Sequence, residues 1–190
     1  VRYLENSKFT YDNKNLIKEL IQKNKTVPEI YKQINNKKRT QKNEIKHSVH
    51  GVLLEINGTG TLIMGKSGVG KSEVGLELIA KGNKFIADDK VIIKRKYNDK
   101  KLRGYCTEIP YYMEVRGLGI VNIEKIYGTK YIKSYANIDI IVEIVEDSVE
   151  NETINILEEI FPIHKLEICA IKNLATEIEE LVKMYRKWEW

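Results

Sequence analysis

The chain has 190 residues, 42% hydrophobic and 31% charged, and a formal net charge of +5. That is the length of one compact domain, or one domain with an extension, with enough apolar content for a core. No run approaches the roughly 18 apolar residues of a membrane-spanning helix, and "VRYLENSKFTYDNKN" has no apolar stretch of the secretory kind. No membrane partner is expected, and the localisation expected is cytoplasmic. Cys106 and Cys169 lie in unrelated contexts without metal-ligand spacing, so both are expected as reduced thiols.

The charge is uneven. Residues 1–46 hold twelve Lys/Arg against five Asp/Glu, and the remaining 144 hold twenty against twenty-two. A basic leader could touch nucleic acid or an acidic protein surface. A solvated Lys/Asn-rich segment is the favoured reading, because the leader's aromatics are only Tyr3, Phe9, Tyr11 and Tyr31.

In chain order, residues 13–36 read as two short amphipathic helices, the first with Leu16, Leu20 and Ile21 on one face and the second with Pro28 near its start. Residues 36–44 carry no apolar side chain and read as a linker, which sets a boundary near residue 45: a short basic helical segment, 1–45, then the main domain, 46–190. The body opens with Val52 to Ile56 and Thr61 to Met64 flanking "NGTG", a strong hairpin signal. "SEVGLELIAKG" has helical spacing at Val74, Leu78 and Ile79, with Gly82 as its stop. "KFIADD" is a short apolar strand ending in two acids. Further strands are expected at Lys90 to Lys96, around Ile120 and at 138–146. A last helix is expected at 173–188, with Leu174, Ile178, Leu181 and Tyr185 on one face.

Between the hairpin and the first of these helices lies Gly65-Lys66-Ser67-Gly68-Val69-Gly70-Lys71-Ser72, which fits G-x-x-x-x-G-K-[ST] without adjustment. The glycines let successive N–H groups point inward as an anion nest, and the helix that follows adds its N-terminal partial charge. Lys71 can reach β- and γ-phosphates, and the Ser72 hydroxyl can ligate Mg²⁺. Asp88 and Asp89 follow Lys71 by 17 and 18 residues. Two adjacent acids at a strand end permit a split of labour, one near the metal and one as base toward an incoming hydroxyl. "MEVRGLGIVN" (113–122) adds a carboxylate, Glu114, and a guanidinium, Arg116. Taken alone, that stretch and the single His50 before the hairpin are weak signals.

Together these stretches resemble the HPr kinase/phosphorylase family, bacterial enzymes acting on a serine of the phosphocarrier protein HPr. The matching residues are "HGVLLEINGTGTLIMGKSGVGKSE" (50–73), "ADD" (87–89) and "MEVRGLGIVN", in the family's order and spacing. The resemblance implies an α/β P-loop kinase domain of PEP carboxykinase-like type with a mixed sheet, Mg²⁺ and ATP as cofactors, HPr as partner and hexameric assembly, with pyrophosphate left open as an alternative donor. It implies that Gly65 to Ser72 hold the nucleotide, with Lys71 on the transferred group, and that Ser72 and Glu114 bind Mg²⁺. An aspartate of the 88–89 pair, Asp89 by its spacing, would take the serine proton, with His50 supporting the site and Arg116 aiding both directions of reaction.

The chain departs from the family in three places. Only about 45 residues precede the core, so the chain is a fragment or carries a reduced N-terminal domain. No Lys or Arg lies between Ser134 and His164, where the family carries a catalytic arginine. The family's "VRPGRN", linked to dephosphorylation, corresponds to "ICAIKN" (168–173), with Lys172 as its only cation. A kinase with weakened phosphorylase activity is therefore expected. The alternatives are a small-molecule kinase of the same fold or a regulatory paralogue that only binds nucleotide.

Overall fold

The computed structural model describes residues 23, 29, 45–95, 101–107, 110–147, 152–169 and 173–188. The chain divides into two units, Val1–Glu44 and Ile45–Trp190. The two helices expected within 13–36 and the linker at 36–44 lie, apart from Lys23 and Glu29, outside the described residues.

The second unit opens with β1 (Ile45–His50), β2 (Val52–Ile56) and β3 (Thr59–Gly65). β2 and β3 form the expected hairpin, with Ile56 opposite Thr59. Its turn is Asn57-Gly58, at φ 49° and 86°, the positive pair that a twisted two-residue hairpin requires. Then come α1 (Lys71–Ala80), β4 (Lys84–Ala87), β5 (Lys90–Arg95) and β6 (Arg103–Tyr105). α1 ends in a Schellman motif: Gly82, at φ 108°, donates to the carbonyl of Ile79, and Asn83 to that of Leu78. A second hairpin, β7 (Tyr112–Val115) and β8 (Gly119–Asn122), runs into the short α2 (Ile123–Tyr127). β9 (Tyr135–Asn137), β10 (Ile140–Val145), β11 (Thr153–Ile156), β12 (Glu159–Glu167) and α3 (Leu174–Trp188) complete the unit.

The central sheet is six-stranded and mixed, in the order β11-β12-β10-β3-β2-β4, with β10 parallel to both β3 and β12. A four-stranded antiparallel sheet, β1-β5-β6-β9, accompanies it. Strand alternation divides the core between the two faces of the central sheet. Val52, Leu54, Ile56 and Ile63 pack with Leu78, Ile79, Ile178 and Val182 of the helices. Leu53, Leu62 and Ile141 pack instead with Val91, Ile93 and Ala136 of the second sheet. The expected face of α3 is confirmed, and Ala175 and Val182 join it in full burial. In β12 Pro162 stands opposite Thr153 of β11, one residue before pairing with β10 begins at Ile163. Its missing N–H is therefore spared a central ladder.

One charge cluster pins the flank of the central sheet. Glu55 of β2, whose side chain is 13% exposed, lies 3.4 Å from its cross-strand neighbour Lys84 and accepts a hydrogen bond from Lys133. Burial acts to raise its carboxyl, but the hydrogen bond and charge of Lys133 and the charge of Lys84 outweigh it and hold the group below its ordinary range. A depressed acid contributes stability that is present above the unfolded pKa and is lost as pH falls through the folded one. Glu55→Gln should therefore lower Tm at pH 7 by about 2–4 °C. In thermal melts from pH 7 downward, that deficit should shrink below the ordinary carboxylate range of about pH 4.3.

Candidate active site

Three loops meet at one end of the central sheet: the glycine loop between β3 and α1, the β4–β5 corner, and the turn of the β7–β8 hairpin. The glycine loop starts where β3 lies beside β10. Gly65 holds φ 143°, and a Cβ there would sit 2.6 Å from the Ile144 carbonyl oxygen. Gly68 and Gly70 also take positive φ, 80° and 99°. Gly70 is the N-cap of α1 and supplies no side-chain cap, so the first-turn N–H groups remain available to an anion. Lys71, 7% exposed, folds back over the loop and donates to the carbonyls of Gly65 (2.9 Å) and Lys66 (2.8 Å). Burial holds its ammonium below the ordinary range, while the charges of Asp88, Asp89 and Glu73 pull it back up.

The two acids separate sharply. β4 carries buried Phe85, Ile86 and Ala87 straight into Asp88. Its carboxylate accepts from the Ser72 hydroxyl (3.1 and 3.3 Å to its two oxygens) and from the Glu114 backbone N–H (3.0 Å). Burial pushes the Asp88 carboxyl up, and the Asp89 charge adds to this, against the pull of the donated hydrogen bonds. Asp89 sits in the left-handed region, φ 64°, and Lys90 N–H closes a tight turn onto the Asp88 carbonyl at 2.8 Å. That turn swings Asp89 the other way: its side chain is 77% exposed, with Oδ1 3.0 Å from His50 Nδ1. His50 is the last residue of β1, a strand that no strong sequence pattern marks. The Gly51 N–H that follows donates to the Asp89 carbonyl at 3.1 Å.

The second hairpin brings the remaining groups. Met113 and Val115 are buried in the helix-side core, so the alternating Glu114 faces outward. At the turn, Gly117 and Gly119 take φ 80° and 76°, and Arg116 Nη2 donates to the Gly68 carbonyl at 3.3 Å. A cavity of about 300 Å³ lies between the three loops. His50, Ser67, Gly68, Gly70, Lys71, Ser72, Asp88, Asp89, Glu114 and Arg116 all line it, as does Glu73, which sequence reasoning had not singled out. Lys66 and Val69 face a separate recess of about 140 Å³ against the end of β10. The hydroxyl of Ser72 and the carboxylates of Asp88 and Glu114 are hard oxygen donors around one space, a set that suits Mg²⁺. A divalent cation there would also offset the cost of burying Asp88.

A G-x-x-x-x-G-K-S loop, a carboxylate pair and a charged hairpin thus meet around one cavity on a mixed α/β fold. The family model for the HPr serine kinase C-terminal domain matches residues 41–187, and the chain belongs to that family. It is 40% identical over 150 residues to an HPr kinase/phosphorylase of Peptoclostridium acidaminophilum, covering 74% of this chain and 48% of the relative. It is 38% identical over 140 residues to one of Geobacter sulfurreducens, covering 69% and 44%. The chain thus spans under half the length of these relatives. Among solved structures, the HPr(Ser) kinase/phosphatase from Coxiella burnetii superposes with a TM-score of 0.68 at 27% identity, over 74% of this chain and 90% of that one. The fold neighbour carries the mixed α/β expectation. Among the described residues, no helix is long and apolar enough to cross a membrane, and neither Cys106 nor Cys169 forms a disulfide.

Gly65→Ala tests the loop's seat. The added methyl must displace the β10 carbonyl or the loop, so nucleotide affinity should fall at least about tenfold, together with Tm, as read by fluorescent-nucleotide titration and thermal melts.

Proposed function

We propose that the protein catalyses Mg²⁺- and ATP-dependent phosphorylation of a serine of HPr, with the named residues in the roles expected from the family pattern. The observation that carries this reading is the divergence of Asp88 and Asp89. One adjacent carboxylate is tied inward to Ser72 and the other stands open beside His50. Bound Mg-ATP supplies the transferable phosphoryl group and neutralises charge as the transfer proceeds. Lys71, now on the carbonyls of Gly65 and Lys66, would turn to phosphate oxygens, and the glycine-loop N–H groups would hold the remaining phosphate charge. Ser72 and Glu114 would hold Mg²⁺, with the Asp88 carboxylate beside them on the Ser72 hydroxyl. Asp89 would accept the proton from the serine Oγ as that oxygen bonds to the γ-phosphorus and the bond from that phosphorus to the departing ADP oxygen breaks, and His50 orients the Asp89 carboxylate. Arg116, fixed on Gly68, adds positive charge at the mouth of the loop.

The reverse reaction asks more of cations, because inorganic phosphate and phosphoserine both enter the site. Among the described residues, the only Lys or Arg side chains lining the cavity are Lys71 and Arg116. Lys172 lies outside the described residues, and the stretch from Ser134 to His164 contains no cation between its ends. That charge count among the described residues supports weakened phosphorylase activity. The proposed assembly is a homo-oligomer.

Intact-mass analysis of HPr after incubation with the protein, Mg²⁺ and ATP should show one added phosphoryl group on serine, absent with Lys71→Ala. Unmodified HPr under conditions where nucleotide binds would contradict the reading. Pyrophosphate release from phospho-HPr and phosphate should run at least about tenfold slower than the forward transfer, the scale of one lost charge contact. Equal rates would remove the weakened-phosphorylase half of the proposal.

A further inference from the structure

The cavity explains how a phosphoryl group is held but not how a protein acceptor is chosen. At about 300 Å³ it has room for a polyphosphate and one entering side chain, on the scale of small-ligand sites. A folded acceptor must stay outside, and its recognition must come from the rim.

The rim is chemically unequal. On one side stand exposed polar groups, His50 and Lys90, at the corner that carries Asp89. On another is the polar glycine loop. The β7–β8 hairpin differs. Of the seven large hydrophobic side chains exposed among the described residues, four fall within 112–126: Tyr112 (41%), Leu118 (67%), Ile120 (74%) and Ile126 (58%). The hairpin has already met its core requirement through Met113 and Val115, at 1% and 4% exposure. Leu118 and Ile120 are therefore surplus to folding.

Their position ties them to the chemistry. Ile120 is the direct cross-strand partner of Glu114, so the two share the outward face of the hairpin. Leu118 stands between Arg116 and Ile120 in a turn closed by its own N–H onto the Val115 carbonyl at 3.0 Å. The flanking Gly117 and Gly119, both at positive φ, allow the tight turn that presents it. An exposed apolar pair beside two cavity-lining charges has the form of an interface anchor: a small apolar centre with a polar surround.

We propose that Leu118 and Ile120 form a docking face for the acceptor protein, seating an apolar patch beside its acceptor hydroxyl so that the hydroxyl reaches Asp89. This rests on the protein-acceptor reading above. A second copy of the chain on the same face would lie across the outward surface that Glu114 shares, on the path an acceptor must take. The acceptor is the occupant consistent with an open, working site.

The experiment compares the unsubstituted protein with Leu118→Ser, Ile120→Ser and the double variant, measuring initial rates of HPr phosphorylation against HPr concentration at saturating Mg-ATP. Fluorescent-nucleotide affinity and light-scattering mass are measured on the same samples. KM for HPr should rise about tenfold for each single change and more for the pair, the scale of truncating an interface anchor. At saturation kcat should stay within about twofold, and nucleotide affinity, which reports an intact site, should be unchanged. Unchanged KM in the double variant overturns the docking face while leaving the kinase reading intact. A change in oligomer mass with KM unaltered assigns the face to a second copy and also overturns it. Absence of transfer by the unsubstituted protein defeats the protein-acceptor reading, and the docking face with it.

Discussion

The carboxylate of Asp88 is the junction on which the rest of the site depends. It is half-buried at the end of a hydrophobic strand, and it takes one hydrogen bond from the first turn of α1 and another from the backbone of β7. Those donors come from parts of the chain 16 and 26 residues away. A buried charge is costly unless it is hydrogen-bonded or paired, and here the cost is met by drawing the glycine-loop helix and the second hairpin onto one group. The same burial pushes the carboxyl upward, leaving it poised to gain from a cation. Stability and function pull on Asp88 in opposite directions.

Asp89 is the complement. Its left-handed backbone is a conformation that aspartate tolerates better than most side chains do, and it separates two adjacent acids that would otherwise share one environment. That turn is held by the Gly51 N–H on the Asp89 carbonyl and by the β1–β5 pairing, which places His50 opposite Lys90. The four-stranded sheet thus supports the exposed acid, while the central sheet supports the half-buried one.

Much of this was legible in the residues because local chemistry dictated it. Asn57-Gly58 permits few arrangements other than a tight hairpin, and G-x-x-x-x-G-K-S leaves the backbone little choice once a helix follows. The apolar run of β4 ending in two acids also announced its geometry. What stayed hidden was set at long range. β6 and β9 have three residues each, too few for a period, and exist because the neighbouring strands supply their partners. β12 is disguised by Pro162, and only its register against β10 shows why the proline is tolerated. The inward and outward fates of Asp88 and Asp89 depend on a single φ angle, which two identical letters cannot record. His50 looked unremarkable alone because its partner lies 39 positions further on.

The central claim is the division of labour between the two aspartates, and single-turnover phosphoryl transfer measured beside Mg-nucleotide affinity tests it most directly. Asp89→Asn should keep Mg-nucleotide affinity within about twofold while transfer slows by roughly 10²–10⁴, the range for loss of a general base. Asp88→Asn should instead lose Mg-nucleotide affinity. The reverse pattern, with affinity lost at Asp89 and transfer alone lost at Asp88, would contradict the account.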